Sequence, residues 1–178
     1  MATNARTGIV TIADYDPAWQ TVFEKDAVCI REALGPRALR IEHCGSTSVP
    51  GLPAKPVIDI VLAVADSADE AAYLPSLESA GYALRLREPE WFEHRLLNRR
   101  AENPGVALNM HVFSQGCTEI DRMLAFRDWL RANATDRELY ARIKRDLAGR
   151  EWKTVQDYAD AKSPVVAEIM TRATAPHD

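Results

Sequence analysis

One acidic side chain stands where only apolar residues are expected. The run Val57 to Val64 is almost continuously hydrophobic, and Asp59 is its single charge. Such a run marks a central strand covered on both faces. A carboxylate there is costly unless it is paired or coordinates an ion. Side chains alternate along a strand, so Asp59 shares a side with Val57, Val61 and Ala63. Two readings stand open. Asp59 meets Lys55, Arg40 or a backbone donor and organises the core, or it lies near the strand end and holds a metal ion or activates a hydroxyl.

The segment before this strand carries the second signal, Gly45-Ser46-Thr47-Ser48. Glycine permits close backbone approach, and successive N–H groups and hydroxyls can cradle phosphate oxygens. The segment is neither a Walker loop nor a dinucleotide fingerprint. Its weight comes from the order strand, Gly-Ser loop, strand, with Asp59 thirteen positions after Ser46. Around it lie His43, a phosphate donor, a base or a structural imidazole, and Lys55, which either meets phosphate or neutralises Asp59. Further along, Tyr140 precedes Lys144, and Tyr158 precedes Lys162, by four residues. That spacing puts each pair on one helix face. Trp91, Trp129 and Trp152 read as packing residues.

The elements that must position these groups follow from local pattern. Ile9 to Ile12 reads as a short strand. Asp16-Pro17 opens a helix that buries Trp19, Phe23, Ala27 and Ile30, and Gly35-Pro36 closes it. Leu39 to His43 is a strand running into the loop Cys44 to Pro53. Asp69 to Ala80 reads as an amphipathic helix ended by Gly81. Tyr82 to Leu86, Trp91 to Leu97 and Val106 to Phe113 are further strands, with Asn103-Pro104-Gly105 turning between the last two. The final third is helical. Thr118-x-x-Asp121 and Thr135-x-x-Glu138 resemble capping boxes. Leu139, Ile143 and Leu147 form a stripe, another helix starts at Thr154, and Ser163-Pro164 interrupts it. The order is a mixed α/β body followed by a helical group.

Composition sets outer limits. The 178 residues carry a net charge of -4, which suits one globular domain and argues against a nucleic-acid partner. The basic stretch Arg95 to Arg100 reads as a solvated strand face. Cys29, Cys44 and Cys117 lack metal spacing and read as reduced thiols. With no leader pattern, and with Ile60 to Ala65 as the longest apolar run, the chain is expected to be cytoplasmic and off the membrane.

The block from Glu42 to Ile60, EHCGSTSVPGLPAKPVIDI, resembles the signature of the GrpB-like family. Tyr15-Asp16-Pro17-x-Trp19, His111-Val112-Phe113, Phe126-Arg127-Asp128-x-Leu130-Arg131, Tyr140-x-x-x-Lys144 and Tyr158-x-x-x-Lys162 are similar to it as well. The resemblance runs from about residue 9 to 171 and implies a single domain over 1–178. The implied fold is the polymerase-beta-like nucleotidyltransferase fold, a mixed sheet with flanking helices and a C-terminal helical group. The family also occurs fused to dephospho-coenzyme A kinase. By the same resemblance Gly45, Ser46 and Thr47 hold nucleotide phosphates, and Lys55, Arg127, Lys144 and Lys162 bind substrate. Asp59, with Glu42 if it converges, positions Mg2+ or Mn2+, and His43 or His111 serves the acceptor. Two departures matter. Position 61 is valine where active nucleotidyltransferases carry a second acid, a feature the GrpB-like pattern shares. Asn109-Met110-His111 also replaces the family's frequent His-x-His. The expected function is binding of a nucleotide or other phosphorylated small molecule, with metal-dependent nucleotidyl transfer to a small acceptor. The alternative is a catalytically inactive ligand-binding or protein-assisting domain.

Overall fold

The computed structural model describes residues 10–99 and 105–175. Its centre is a five-stranded mixed sheet in the order β1-β2-β5-β4-β3. The strands are β1 (Arg40–Cys44), β2 (Val57–Val64), β3 (Ala83–Glu88), β4 (His94–Arg99) and β5 (Ala107–Ser114). β2 lies inside the sheet, antiparallel to β1 and parallel to β5, while β4 pairs antiparallel with both β3 and β5. The expected interior strand from Val57 to Val64 forms over those residues.

Alternation along β2 divides the core. Ile58, Ile60, Leu62 and Val64 pack with Trp19, Ile30 and Leu34 of α1 (Ala18–Leu34) and Leu77 of α2 (Leu74–Ser79). Val61 and Ala63 face the other way, with Cys44 and Phe113, onto Ile120 and Leu124 of α3 (Thr118–Ala132). Cross-strand partners share a face, so Asp59 and its neighbour Asn109 belong to this second side.

The helices follow local chemistry. The Asp16 carboxylate accepts the Ala18 N–H at 2.8 Å at the start of α1. Gly35, at φ 55° and ψ -132°, ends that helix in a positive-φ conformation that suits glycine. Several expectations are corrected. Residues 10–12 form no strand and Ile9 lies outside the described residues, but Ala13 and Ala54 make an isolated antiparallel bridge. The helix expected over Asp69 to Ala80 is a 3-10 turn at Glu70–Ala72 followed by the short α2, because Pro75 fits only a first helical turn. Neither proposed threonine box forms. Cys117 and Asn133 occupy those N-cap positions, and Asn133 accepts the Asp136 N–H. Thr154, by contrast, makes a full box with Asp157. The Asn103-Pro104-Gly105 turn lies largely outside the described residues. The basic stretch is not a solvated face either: Arg95 is buried against Glu70, and Arg99 pairs with Asp26. Cys29, Cys44 and Cys117 are free thiols.

After α3 come α4 (Ala134–Ala148), α5 (Val155–Ala161) and α6 (Ser163–Ala173). Their core reaches back into the chain. Val49 and Leu52, from the loop between β1 and β2, are fully buried among Leu130, Tyr140, Val165 and Ile169. Among the described residues no helix is long and apolar enough to cross a membrane.

Asp136 ties this helical group together. Its carboxylate accepts from Trp129 Nε1 of α3 at 2.7 Å and from Arg172 of α6 at 2.6 and 2.9 Å. The Arg172 hydrogen bonds hold its pKa below the ordinary aspartate value of about 3.8. A fully buried pair broken on one side costs roughly 3–5 kcal/mol. Arg172 is 38% exposed, so solvent reduces the expected loss for Asp136→Asn to about 1–2 kcal/mol at neutral pH. The contribution is present above the unfolded-state pKa and is lost as pH falls through the lower folded-state value. Urea melts of both proteins from pH 7 down to pH 2 should show the gap closing at the acid end; a gap independent of pH would refute the assignment.

Candidate functional site

Asp59 and the loop before it meet through a glycine. Gly45 adopts φ 68° and ψ -175°, a region open essentially to glycine alone. A Cβ at this position would lie 2.5 Å from Asp59 Oδ2. The loop backbone is therefore pressed directly onto the carboxylate.

The rest of the loop is tied down from several sides. Ser48 Oγ donates to the Gly45 carbonyl, and Thr47 Oγ1 donates to the Val57 carbonyl at 3.1 Å. Arg127 of α3 donates to the His43 carbonyl at 2.9 Å, and Arg131 donates to the Ser48 carbonyl. Lys144 of α4 donates to the Pro53 carbonyl. The recurring basic residues of α3 thus hold the loop's backbone at its entrance and midpoint.

One cleft of about 150 Å³ opens beside this loop, lined by Ser46, Thr47, Lys55, Asp59, Asn109, Lys144, Tyr158 and Lys162. Lys55, Lys144 and Lys162 line it together with the single carboxylate of Asp59. Burial pulls Lys144 down to about 7, with the nearby Lys162 and Arg145 adding to it. Lys162 is also lowered by burial, against the opposing pull of Asp59. Lys144 lies over the Tyr140 ring and Lys162 over the Tyr158 ring, at 4.8 and 4.6 Å from the centroids. The Tyr158 hydroxyl is buried and has no hydrogen-bond partner. A buried, unsatisfied hydroxyl is costly, and Tyr158 is one of the residues that line the cleft. A larger open groove of about 730 Å³ lies beside Gly51 and Pro53, but Asp59 does not line it.

Expected residues divide clearly. Ser46, Thr47, Lys55, Asp59, Lys144 and Lys162 are brought together, with Gly45 against Asp59. Asp59 does not meet Arg40, which pairs with Glu42; it accepts from Asn109 Nδ2 at 3.3 Å. Glu42 does not converge on Asp59 either. Its carboxylate is taken by Arg127 at 2.9 Å and Arg40 at 3.1 Å, and its pKa is lowered. Arg127 is accordingly a clamp on β1 and does not line the cleft. His43 points to the α1 side, stacked on Phe23 and bonded to Thr47 Oγ1 at 3.0 Å. Burial drops it to about 4, so it is a neutral support behind Thr47. His111 borders the site from β5, its Nε2 3.6 Å from Asp59 Oδ1. His94 and Glu88 were not singled out by the sequence, whereas Asn109 stood out only as a departure from His-x-His and Tyr158 by its helical spacing from Lys162.

This arrangement, a Gly-Ser loop feeding a strand acid on a mixed sheet backed by helices, defines a protein of the polymerase-beta-like nucleotidyltransferase fold. Solved structures agree. A terminal RNA U-transferase is similar at TM-score 0.52 and 12% identity, covering 74% of this chain and 41% of that one. The GLD-2/RNP-8 complex is similar at TM-score 0.57 and 12% identity, with coverages of 92% and 62%. At such identities the likeness is one of fold. The chain itself belongs to the GrpB family, whose description, GrpB protein, matches residues 9–172. The crystal structure of conserved protein GrpB from Enterococcus faecalis is 30% identical with TM-score 0.79, covering 92% of this chain and 96% of that one. A UPF0157 protein of Halalkalibacterium halodurans is 60% identical over 93% of this chain and 83% of its own length. A dephospho-CoA kinase of Mycolicibacterium paratuberculosis is 30% identical over 92% of this chain, which spans 46% of that enzyme.

The Gly45–Asp59 contact is directly testable. Gly45→Ala should destabilise by about 2–4 kcal/mol, the sum of backbone strain and the steric clash. Asp59→Ala placed on top should recover part of that loss, because only the clash is shared. Denaturant melts of the two single variants and the double variant measure the coupling, and strict additivity would deny the contact.

Proposed function

We propose that this protein binds a phosphate ester, a nucleotide or another phosphorylated small molecule, in the cleft between the Gly45-Ser46 loop and α5, with a divalent cation at Asp59. The observation that carries this reading is that three lysines line the cleft together with Tyr158, whose buried hydroxyl has no partner among the described residues. Phosphate oxygens satisfy both, since charge-assisted hydrogen bonds are the strong ones. The cleft's volume suits a phosphate group or part of a polyphosphate chain, with the remainder of the ligand outside it.

The residues fit one cation and not two. Val61 occupies the position of a second acid and is fully buried, and Glu42 is engaged by two arginines. Mg2+ or Mn2+ bound by a single carboxylate relies on phosphate oxygens for further ligands. When bound, such an ion would neutralise charge on the phosphates. Lys55, Lys144 and Lys162 would orient the ester and hold its negative charge. In a nucleotidyl transfer, an acceptor hydroxyl or amine would bond to the α-phosphorus while the bond to pyrophosphate breaks. The lysines would then stabilise the departing group. The missing second acid favours a second reading, in which the same cleft binds its ligand without turnover.

Calorimetric titration with ATP and Mn2+ tests the proposal, with product analysis separating turnover from binding. Tyr158→Phe should leave the free protein equally or more stable, because it removes an unsatisfied group. It should weaken ligand binding about tenfold to a hundredfold, the worth of one hydrogen bond to a charged group. A variant that loses stability but not affinity would show the hydroxyl to be structural.

Lys144 supplies a pH signature. Its folded-state pKa is depressed to about 7, so its charge weakens folding most below that value and the penalty fades between about 7 and 10.5. An anion in the cleft reverses the preference. Binding at pH 7.5 should therefore take up protons, and affinity should rise as pH falls through 7. Titrations in buffers of different ionisation enthalpy read the uptake directly. Proton release on binding would contradict the assignment.

A further inference from the structure

Four side chains, one from each of four neighbouring strands, form a line across the sheet on the Asp59 face. Glu88 Oε2 of β3 lies 2.8 Å from His94 Nδ1 of β4, and His94 Nε2 lies 3.1 Å from His111 Nδ1 of β5. His111 Nε2 lies 3.6 Å from Asp59 Oδ1 of β2. At β4 the line meets Trp91, whose ring centroid is 4.8 Å from that of His94 and 5.6 Å from that of Phe113. Trp91 packs there, as its type suggests, but only in part: it is 39% exposed, and the adjacent Phe92 is 49% exposed.

The way Trp91 is held sets it apart from an ordinary surface aromatic. His111, His94 and Phe113 form a near-parallel stack, with 22° and 32° between successive rings. Trp91 stands across that stack, at 68° to His94 and 81° to Phe113. Among the described residues no ring lies parallel to the indole, whose exposed surface is free to take one. The turn that carries it is strained. Phe92 and Glu93 sit at φ 56° and 51°, left-handed conformations that bulky residues rarely adopt. Backbone bonds fix the turn nonetheless. The Trp91 N–H donates to the Glu88 carbonyl and the His94 N–H to the Trp91 carbonyl, both at 3.1 Å. Buried Arg95 donates to the Glu93 carbonyl at 2.9 Å. Strain kept in this way concentrates at ligand clamps and active sites.

The small cleft opens at Asp59, the other end of this line. Neighbouring strands lie about 4.8 Å apart, so β2 and β4 are separated by about 10 Å, the reach of a sugar and a base. The larger groove beside Gly51 and Pro53 offers Tyr15 and three arginines, but Asp59 does not line it. We propose that Trp91 is the stacking platform for the base of a nucleotide whose phosphates occupy the cleft at Asp59, with the ligand crossing the sheet over His111. This rests on the phosphate-binding reading above and narrows its ligand from any phosphate ester to a nucleotide. Stacking on an aromatic face tolerates any base, because every base has a π-face. Trp91 therefore supplies affinity for the class and makes no choice among bases.

Titration calorimetry on the full chain, with Mg2+ present throughout, compares ATP with inorganic tripolyphosphate. ATP should bind about fivefold to a hundredfold more tightly, the worth of one base stacked on an aromatic ring. Trp91→Leu keeps apolar bulk and removes the π-face. It should erase that margin and leave tripolyphosphate affinity unchanged, while Trp91→Tyr retains most of the margin. ATP should also quench a component of the tryptophan fluorescence that is absent in Trp91→Tyr, and tripolyphosphate should leave that component untouched. Equal affinities for the two probes, or a Trp91→Leu variant that weakens both alike, would overturn the platform and leave the phosphate cleft standing. So would quenching of Trp91 by free adenosine that persists unchanged in the ATP-saturated protein, since the indole would then serve a second molecule. If neither probe binds, the phosphate reading fails and the platform falls with it.

Discussion

Everything at the site depends on the close approach of the Gly45 backbone to the Asp59 carboxylate. No other residue type tolerates both the backbone conformation and the missing space. That contact sets the height of Ser46 and Thr47 over β2 and so the depth of the cleft. It is also a geometry in which the loop does not neutralise Asp59. The charge is left facing Asn109, His111 and the lysine side of the cleft.

The C-terminal helices act as the second half of the loop. Val49 and Leu52 give up their solvent to the helical core, and three basic side chains take loop carbonyls that would otherwise be stranded at a buried boundary. Burying apolar surface of this size is worth roughly 1.5–3 kcal/mol per side chain. The hydrogen bonds add direction more than energy. The same helices bring Lys144, Tyr158 and Lys162 to the cleft. Positioning of the loop and lining of the cleft are therefore built from one set of elements, and loosening α4 to α6 should affect both.

Electrostatics sort the remaining charged groups. Glu42 sits on the Asp59 face of the sheet, yet Arg127 and Arg40 hold it as a structural anion. Arg95, in the basic stretch, is likewise absorbed by Glu70, whose pKa Arg87 first and Arg95 with it drive down to about 2. Lys55, Lys144 and Lys162 line the cleft, where Asp59 is the one carboxylate among the lining residues. Burial lowers the pKa of both Lys144 and Lys162 there.

Much of this could be read before any coordinates. The apolar run with one acid gave β2 with its bounds, and the Gly-Ser loop beside it was legible because glycine and buried charge are both expensive out of place. Asp16-Pro17, Gly35 and Thr154 marked helix ends through their own local bonds. What the chain order could not reveal was direction. Glu42 and His43 are adjacent, but strand alternation turns one to α3 and the other to α1, and only the partners there decide that the first is clamped and the second supports Thr47. Arg127 looked like Lys144 and Lys162 in type and setting, yet the packing of α3 on β1 turned it to the loop backbone. His94 and Glu88 carry no local signal at all. Their line to Asp59 exists only because β3, β4 and β5 pair in one register on one face, a choice made by tertiary packing.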